Sequence, residues 1–149
     1  MPVTQLQEKD SHISTVERVL FLKDVDLFQD LSGEDLSHIA LITDVVEFAP
    51  QATIFHSGDL GDAMYLIVDG RIRVDHSGHV VRYLGAKDCF GEMSILDDAP
   101  RASSATAIDG VRLLKIHRDD FADIVSDNPD IAHGVIKVLT RKLREAIAR

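Results

Sequence analysis

The chain has 149 residues, a hydrophobic fraction of 45% and a formal net charge of −9, which suits one folded domain with a hydrophobic core. This acidic balance argues against a surface that binds nucleic acid or an anionic membrane, because phosphate groups need a basic face. The single cysteine, Cys89, excludes an intrachain disulfide and a cysteine-based zinc site, and it favours a reducing, cytoplasmic setting. No apolar run approaches the ~20 residues that span a bilayer, so we expect no direct membrane insertion.

The N-terminal part of the chain predicts a tail followed by two short helices. Residues 1–14 are polar and lack periodicity, so we expect a flexible tail before a domain at 15–149. In the second helix, within LSGEDLSHIALIT, Ser32 is the N-cap candidate. In the first, within VERVLFLKDVDLF, four apolar residues are predicted to share one helical face: Val16, Val19, Leu20 and Phe21.

The middle of the chain predicts strands. In DGRIRVD, Ile72 and Val74 alternate with charged residues and are expected to face inward. The pair Ser77-Gly78 predicts a hairpin turn between the strands on either side. Five short runs rich in β-branched residues are separated by Gly and Pro, which indicates a sandwich or small barrel: VVEFAPQATIFHSGD, AMYLIVDGRIRVDH, HVVRYLG, RASSATAI and VRLLKIH.

Helices return at the C-terminal end of the chain. RDDFADIVSD predicts one helix that stops before Pro129, and NPDIAHGVIKVLTRKLREAIAR predicts another. We interpret the apolar stripe of the last helix as a packing face, whose exposed end is a candidate surface for a homodimer. The stripe consists of Ile131, Val135, Val138, Leu139, Leu143 and Ile147.

The segment FGEMSILDDAPRASSATA, residues 90–107, carries a lone acid, Glu92, and a lone base, Arg101, among small and apolar residues. It predicts a short helical turn that starts at Gly91, where the backbone can approach a bound group closely. An arginine offers a planar fork of donors to a phosphate, and a carboxylate accepts from a sugar hydroxyl. Together these features describe a nucleotide site. The alternative interpretation is an ion pair between Glu92 and Arg101.

The same segment resembles the phosphate-binding cassette of cyclic nucleotide-binding domains, with F-G-E, a spacer and P-R-A in order. The resemblance covers about residues 15–149. It implies an α+β, mainly β, fold: an antiparallel β-roll or jelly roll flanked by N-terminal helices and a C-terminal lid helix pair. It also implies that Glu92 accepts the ribose 2′-hydroxyl and that Arg101 pairs with the cyclic phosphate. The ligand-binding set that it implies is Gly91, Glu92, Met93, Ser94, Arg101, Ala102 and Ser103.

The resemblance further implies a regulatory sensor that binds its nucleotide without breaking it. In the family a Thr directly after the arginine often accompanies cGMP preference, and Ala102 at that position favours cAMP over cGMP. No helix-turn-helix follows the last helix, so we expect no nucleic-acid binding by this chain. The expected partner is an effector protein or a fused transporter, channel or enzyme segment. The alternative is a ligand-independent interaction module of the same fold with a degenerate pocket.

The sequence contains little that indicates an enzyme. His76 and His79 are the best metal candidates, but they flank a turn and no acidic or cysteine set completes a site. A phosphodiesterase needs a two-metal cluster of His and Asp, and none is visible. We therefore expect no enzyme activity, no metal and no cofactor, with cAMP or cGMP as the ligand.

Overall fold

The structure, a computed structural model, describes residues 12–148. Its helices are α1 (Thr15–Leu22), α2 (Gly33–Leu41), α3 (Glu92–Asp97), α4 (Arg118–Asp127) and α5 (Pro129–Ile147), with a short 3-10 turn at Asp26–Phe28. Its strands are β1 (Thr43–Phe48), β2 (Thr53–Phe55), β3 (Ala63–Asp69), β4 (Ile72–His76), β5 (His79–Leu84), β6 (Cys89–Phe90), β7 (Ser104–Ala107) and β8 (Val111–His117).

The eight strands form two antiparallel four-stranded sheets, in the orders β1-β8-β3-β6 and β2-β7-β4-β5. The predicted α+β fold, a β-roll that is preceded and followed by helices along the chain, is therefore confirmed. The hairpin is confirmed as well: Ser77 and Gly78 have φ values of 52° and 81°. Both positive values belong to a type I′ turn, whose twist matches that of the strands it joins.

The first sheet is buried on both faces, which explains why β3 reads as an unbroken apolar run. Alternate residues of a strand point to opposite faces. Met64 and Leu66 face the helices and pack in the same cluster as Phe28. Tyr65 and Ile67 face the second sheet and pack inside the roll. One strand thus serves two hydrophobic cores, and the first sheet lies between the second sheet and the helices.

The predicted apolar face of α1 is wrong in part, since the Val16 side chain is 68% exposed and Leu20 is exposed too. The face toward the domain carries Arg18, which donates to the backbone carbonyls of Ile13 and Thr43. Leu22, one turn further on, is fully buried. An arginine that satisfies carbonyls takes the inward position that the periodicity assigned to aliphatic residues.

The start of the domain stays a prediction. Residues 1–11 of the predicted tail lie outside the described residues. Ile13, which we had also assigned to the tail, is buried in the helical core. Ser14 caps α1 in a reciprocal capping box with Glu17.

The last helix belongs to the domain only over its first half. Ile131, Val135 and Val138 are buried, whereas Leu143 is 60% exposed and Ile147 is 74% exposed. The predicted stripe thus continues onto a part of α5 that the roll does not cover. Within residues 12–148, no helix combines the length and the apolar character that crossing a membrane requires.

A close backbone approach fixes α3 against the loop before β3. A Cβ atom at Gly61 would lie 2.0 Å from the Cβ of Ser94, well inside contact distance. We therefore expect Gly61→Ala to lower the free energy of unfolding by about 1–3 kcal/mol, as overpacking does. Urea denaturation measures it, with Gly33→Ala as the control, because nothing lies within 4 Å of a Cβ there. Equal stability of the two variants would contradict the close approach.

Candidate functional site

A cavity opens between α3, the segment that follows it and the second sheet. It encloses about 80 Å³, and all seven residues predicted from the cassette line it. The structure therefore brings together Gly91, Glu92, Met93 and Ser94 at the start of α3 with Arg101, Ala102 and Ser103. The wall also contains residues that the sequence did not indicate: Phe55, Val74, Arg82, Phe90 and Ala105.

Gly91 permits the sharp entry into α3. Its φ of 78° is left-handed, a conformation that glycine adopts without strain. A Cβ atom there would lie 2.6 Å from Nη1 of Arg101, so the missing side chain also makes room for the guanidinium. Two physical reasons thus favour the glycine that the cassette pattern predicts: the backbone is left-handed there, and a side chain would collide with the guanidinium of Arg101.

Arg101 is a buried cation whose described partners are neutral. Its side chain is 4% exposed. Nη1 donates to the carbonyl of Gly91 at 2.8 Å, and Nη2 donates to the carbonyl of Ala63 at 2.5 Å. The guanidinium carbon lies 4.0 Å from the ring centre of Phe55. Nε is buried without a hydrogen-bond partner within residues 12–148. The Nε–H of Arg101 therefore remains to be satisfied.

The alternative of an ion pair between Glu92 and Arg101 does not appear among the ion pairs of the described residues. Burial lowers the pKa of Arg101, although a guanidinium stays protonated at neutral pH. A buried charge is costly unless an opposite charge or several hydrogen bonds compensate for it. An anion that enters this cavity would therefore be stabilised by Arg101.

Two backbone N–H groups of the cassette are free to meet such an anion. The carbonyl of Arg101 accepts from the N–H of Gly58 at 2.8 Å. The carbonyl of Ala102 accepts from Nδ1 of His76 at 2.8 Å. In a planar trans peptide the N–H points away from the carbonyl, so the N–H groups of Ala102 and Ser103 point away from these partners. Neither donates to a carbonyl of the described residues.

Phe55 and His76 are therefore site residues that sequence reasoning missed. Phe55 ends a three-residue strand and supports Arg101 with its ring. His76 was considered only as a metal ligand, yet its ring holds a cassette carbonyl. Phe55 contacts Arg101, 46 positions further along the chain, and His76 contacts Ala102, 26 positions further along. No local pattern signals such contacts. Among the described residues, no group of three or more His, Cys, Asp or Glu could hold a metal.

Glu92 begins α3 and forms part of the cavity wall, next to Cys89 on β6. Burial first, and the nearby charge of Glu92 second, raise the pKa of the Cys89 thiol far above its usual range. Because the thiolate is the nucleophilic form, burial disfavours nucleophilic chemistry at Cys89. Cys89 instead packs against the helical core.

Arg118 connects the cassette to the C-terminal helices. At the first position of α4, its Nε donates to the carbonyl of Gly61 at 3.0 Å, and Nη2 donates to the same oxygen. Its Nη1 lies 3.5 Å from a carboxylate oxygen of Asp98, which ends α3. The side chain of Arg118 thus links the loop beneath α3 and the end of α3 to the start of α4.

Comparisons with known proteins agree with this geometry. The Cyclic AMP receptor protein of Thermus thermophilus is 37% identical over 131 residues, 84% of this chain and 60% of that protein. A cAMP-dependent protein kinase regulatory subunit of Aspergillus niger is 34% identical over 113 residues, 74% of this chain and 28% of that protein.

Among solved structures, the regulatory domain of Toxoplasma gondii PKA with cAMP superposes with a TM-score of 0.70 at 27% identity. That match covers 82% of this chain and 47% of the other. The chain thus spans less than two thirds of each of these three relatives.

The family model described as "Cyclic nucleotide-binding domain" matches residues 45–128, a segment that runs from β1 through the cassette to the end of α4. This is more than half of the chain, and it contains every residue of the candidate site. The protein belongs to the cyclic nucleotide-binding domain family.

Proposed function

We propose that this chain is a sensor that binds a cyclic nucleotide, with cAMP favoured over cGMP, and relays binding through its last helix. The observation that carries the proposal is the buried guanidinium of Arg101, which has no carboxylate partner among the described residues and whose Nε–H has no hydrogen-bond partner there. Free N–H groups at Ala102 and Ser103 supply further donors on the same wall. A singly charged cyclic phosphate matches this combination of one cation and several N–H groups.

Glu92 is the ribose-binding residue in this proposal. It shares the cavity wall with Arg101. The carboxylate of Glu92 and the guanidinium of Arg101 do not form one of the ion pairs found within residues 12–148. A carboxylate only accepts hydrogen bonds, so it suits the 2′-hydroxyl and repels the phosphate. The sugar and the phosphate therefore have separate positions along one wall.

The lid helix completes the site. Ligand pockets usually measure ~300–1,000 Å³, and the cavity encloses about 80 Å³. A bound nucleotide would extend from it toward α5, whose second half the roll leaves uncovered. Closure of that half over the base would bury the ligand. The accompanying change in the position of Leu143 and Ile147 is the signal that a second copy, an effector protein or a fused segment reads.

The base preference rests on Ala102. A threonine at this position would add a hydroxyl to the cavity wall, whereas alanine presents only a methyl group. A methyl group offers no hydrogen bond to the 2-amino group of guanine. The alternative function, an interaction module without a ligand, predicts that neither nucleotide binds.

Replacement of Arg101 tests the phosphate assignment. Arg101→Met keeps an aliphatic side chain and removes the charged guanidinium that lies over Phe55. Charge-assisted hydrogen bonds are worth about 1.5–3 kcal/mol, so we expect cAMP binding to weaken by about 10- to 150-fold or more at ~1.4 kcal/mol per decade. Titration calorimetry measures the affinities of the wild-type chain and of Arg101→Met for cAMP and cGMP.

The matched control is Arg112→Met, since Arg112 is a partly buried arginine on β8 that pairs with Asp69 and does not line the cavity. It should leave the nucleotide affinity unchanged. A wild-type chain that binds neither nucleotide would support the interaction module instead.

A second substitution tests the ribose assignment. Glu92→Ala removes the acceptor for the 2′-hydroxyl, so cAMP should bind more weakly, by about 2- to 12-fold for one net hydrogen bond. Binding of 2′-deoxy-cAMP should hardly change, because that analogue has no hydroxyl to lose. Competition titrations of both nucleotides against both chains measure the difference. Equal losses for the two nucleotides would rule out Glu92 as the ribose partner.

A further inference from the structure

A second cavity opens at one end of the roll, between β1, β2 and the loop that precedes β3. This roll cavity encloses about 350 Å³, which is within the ~300–1,000 Å³ that is usual for ligand pockets. Among the described residues, it shares only Phe55 and Arg101 with the cavity at the cassette. These two side chains therefore lie between the two cavities, and the roll cavity is a separate space.

One part of the wall of the roll cavity is apolar. Val46 and Phe48 of β1 and Tyr65 of β3 line it, and all three belong to the hydrophobic core inside the roll. Leu60 lines it too and is 83% exposed, so a large apolar side chain stands at the opening. Removal of apolar surface from water stabilises a bound molecule. This part of the wall therefore favours a ligand with a hydrocarbon part.

A lysine faces into the roll cavity from the first sheet. Lys115 of β8 lies directly opposite Tyr65 of β3, and the side chains of directly opposed residues in an antiparallel pair lie on the same face. Because Tyr65 points into the roll, Lys115 does so as well, and it lines the cavity. Its Nζ lies 5.9 Å from the centre of the Tyr65 ring. A cation thus stands beside the apolar wall.

Lys115 forms none of the ion pairs found within residues 12–148. The carboxylate directly opposite, that of Asp44 on β1, pairs with His117 at 3.1 Å instead. Asp59 and Asp62 also line the cavity, but at exposed positions, whereas Lys115 is only partly exposed. The ammonium group of Lys115 is therefore available to a negatively charged group that enters the cavity.

We propose that the roll cavity binds a small monocarboxylate with an apolar body. The carboxylate pairs with Lys115, and the hydrocarbon part packs against the apolar wall from β1 and β3. Asp59 and Asp62 repel a second negative charge, so the site favours one carboxylate over two. This binding does not depend on the proposed nucleotide function, because Arg101 is the one cassette residue that lines the roll cavity in the described part of the chain.

Hexanoate, hexanol and adipate test these features. They have the same number of carbon atoms and carry one carboxylate, one hydroxyl and two carboxylates, respectively. Binding is followed by the fluorescence of Tyr65, since the chain has no tryptophan and two tyrosines. Tyr83→Phe removes the other tyrosine, which is exposed and lines neither cavity. The full chain with this substitution is the background for every variant.

We expect hexanoate to change the Tyr65 fluorescence saturably and to bind more tightly than hexanol or adipate. Lys115→Met removes the charge but keeps an unbranched apolar side chain, so hexanoate should bind about 5-fold more weakly or worse, the upper end for an exposed ion pair. Hexanol should bind as before. Lys115→Arg keeps the charge and should retain hexanoate binding. The matched control is Lys137→Met, at an exposed position of α5 that lines neither cavity, and it should change no affinity.

Three results would overturn the proposal. One is the absence of a saturable hexanoate signal, and another is equal affinity for hexanoate and hexanol. The third is hexanoate binding that Lys115→Met leaves unchanged, which would mean that hexanoate enters the cassette cavity at Arg101. None of these titrations contains a nucleotide, so their failure would leave the sensor function intact. A chain that binds hexanoate but no cyclic nucleotide would overturn the sensor function alone.

Discussion

The burial of one positive charge, on Arg101, is the constraint on which the site depends. Its guanidinium is held by carbonyl dipoles and an aromatic ring, and no carboxylate of the described residues pairs with it. Each holder comes from a different segment: Phe55 from β2, Ala63 from β3 and Gly91 from the start of α3. The roll must close correctly to bring the three together. The same closure excludes water and so strengthens the attraction for an incoming anion. The cost of burying this cation and its proposed value for binding an anion therefore have a single origin.

The cassette can influence the distant helix because it is packed on one side and open on the other. Ser94 lies against Gly61 without room for another atom, and Arg118 joins that loop to Asp98 and to the start of α4. Any displacement of α3 therefore changes contacts that position α4 and, through it, α5. The second half of α5 is exposed, and its described ion pairs, Arg141–Asp30 and Lys142–Asp26, lie at the surface. In the proposed function, a modest difference in ligand affinity between two positions of this half would therefore be enough to shift it. In the proposed relay, this packing would transmit a movement of α3, and the uncovered end of α5 would display it.

The sequence predicted those parts of the molecule that short patterns specify. Alternation at Ile72 and Val74, the Ser77-Gly78 turn and the glycine before α3 each depend on neighbours within a few positions. It failed where a tertiary contact overrides the local pattern. Arg18 faces inward because it donates to the carbonyls of Ile13 and Thr43, and helical periodicity cannot reveal these contacts. The roles of Phe55 and His76 likewise arise only after β2, β4 and the cassette have come together. Fold and cassette were thus predictable, and the support around the cassette was not.

In the proposed function, affinity and specificity come from different groups of the site. Arg101 and the N–H groups of Ala102 and Ser103 would meet a phosphate that every cyclic nucleotide carries, so they would add the same free energy for each. Discrimination needs contacts that differ between bases. The side chain at position 102 is such a contact in the proposal, and it directly follows Arg101 in the chain. A substitution that changes the base preference at position 102 therefore adjoins the residue that would carry the affinity, where Gly91 already leaves no room for a Cβ atom beside the guanidinium.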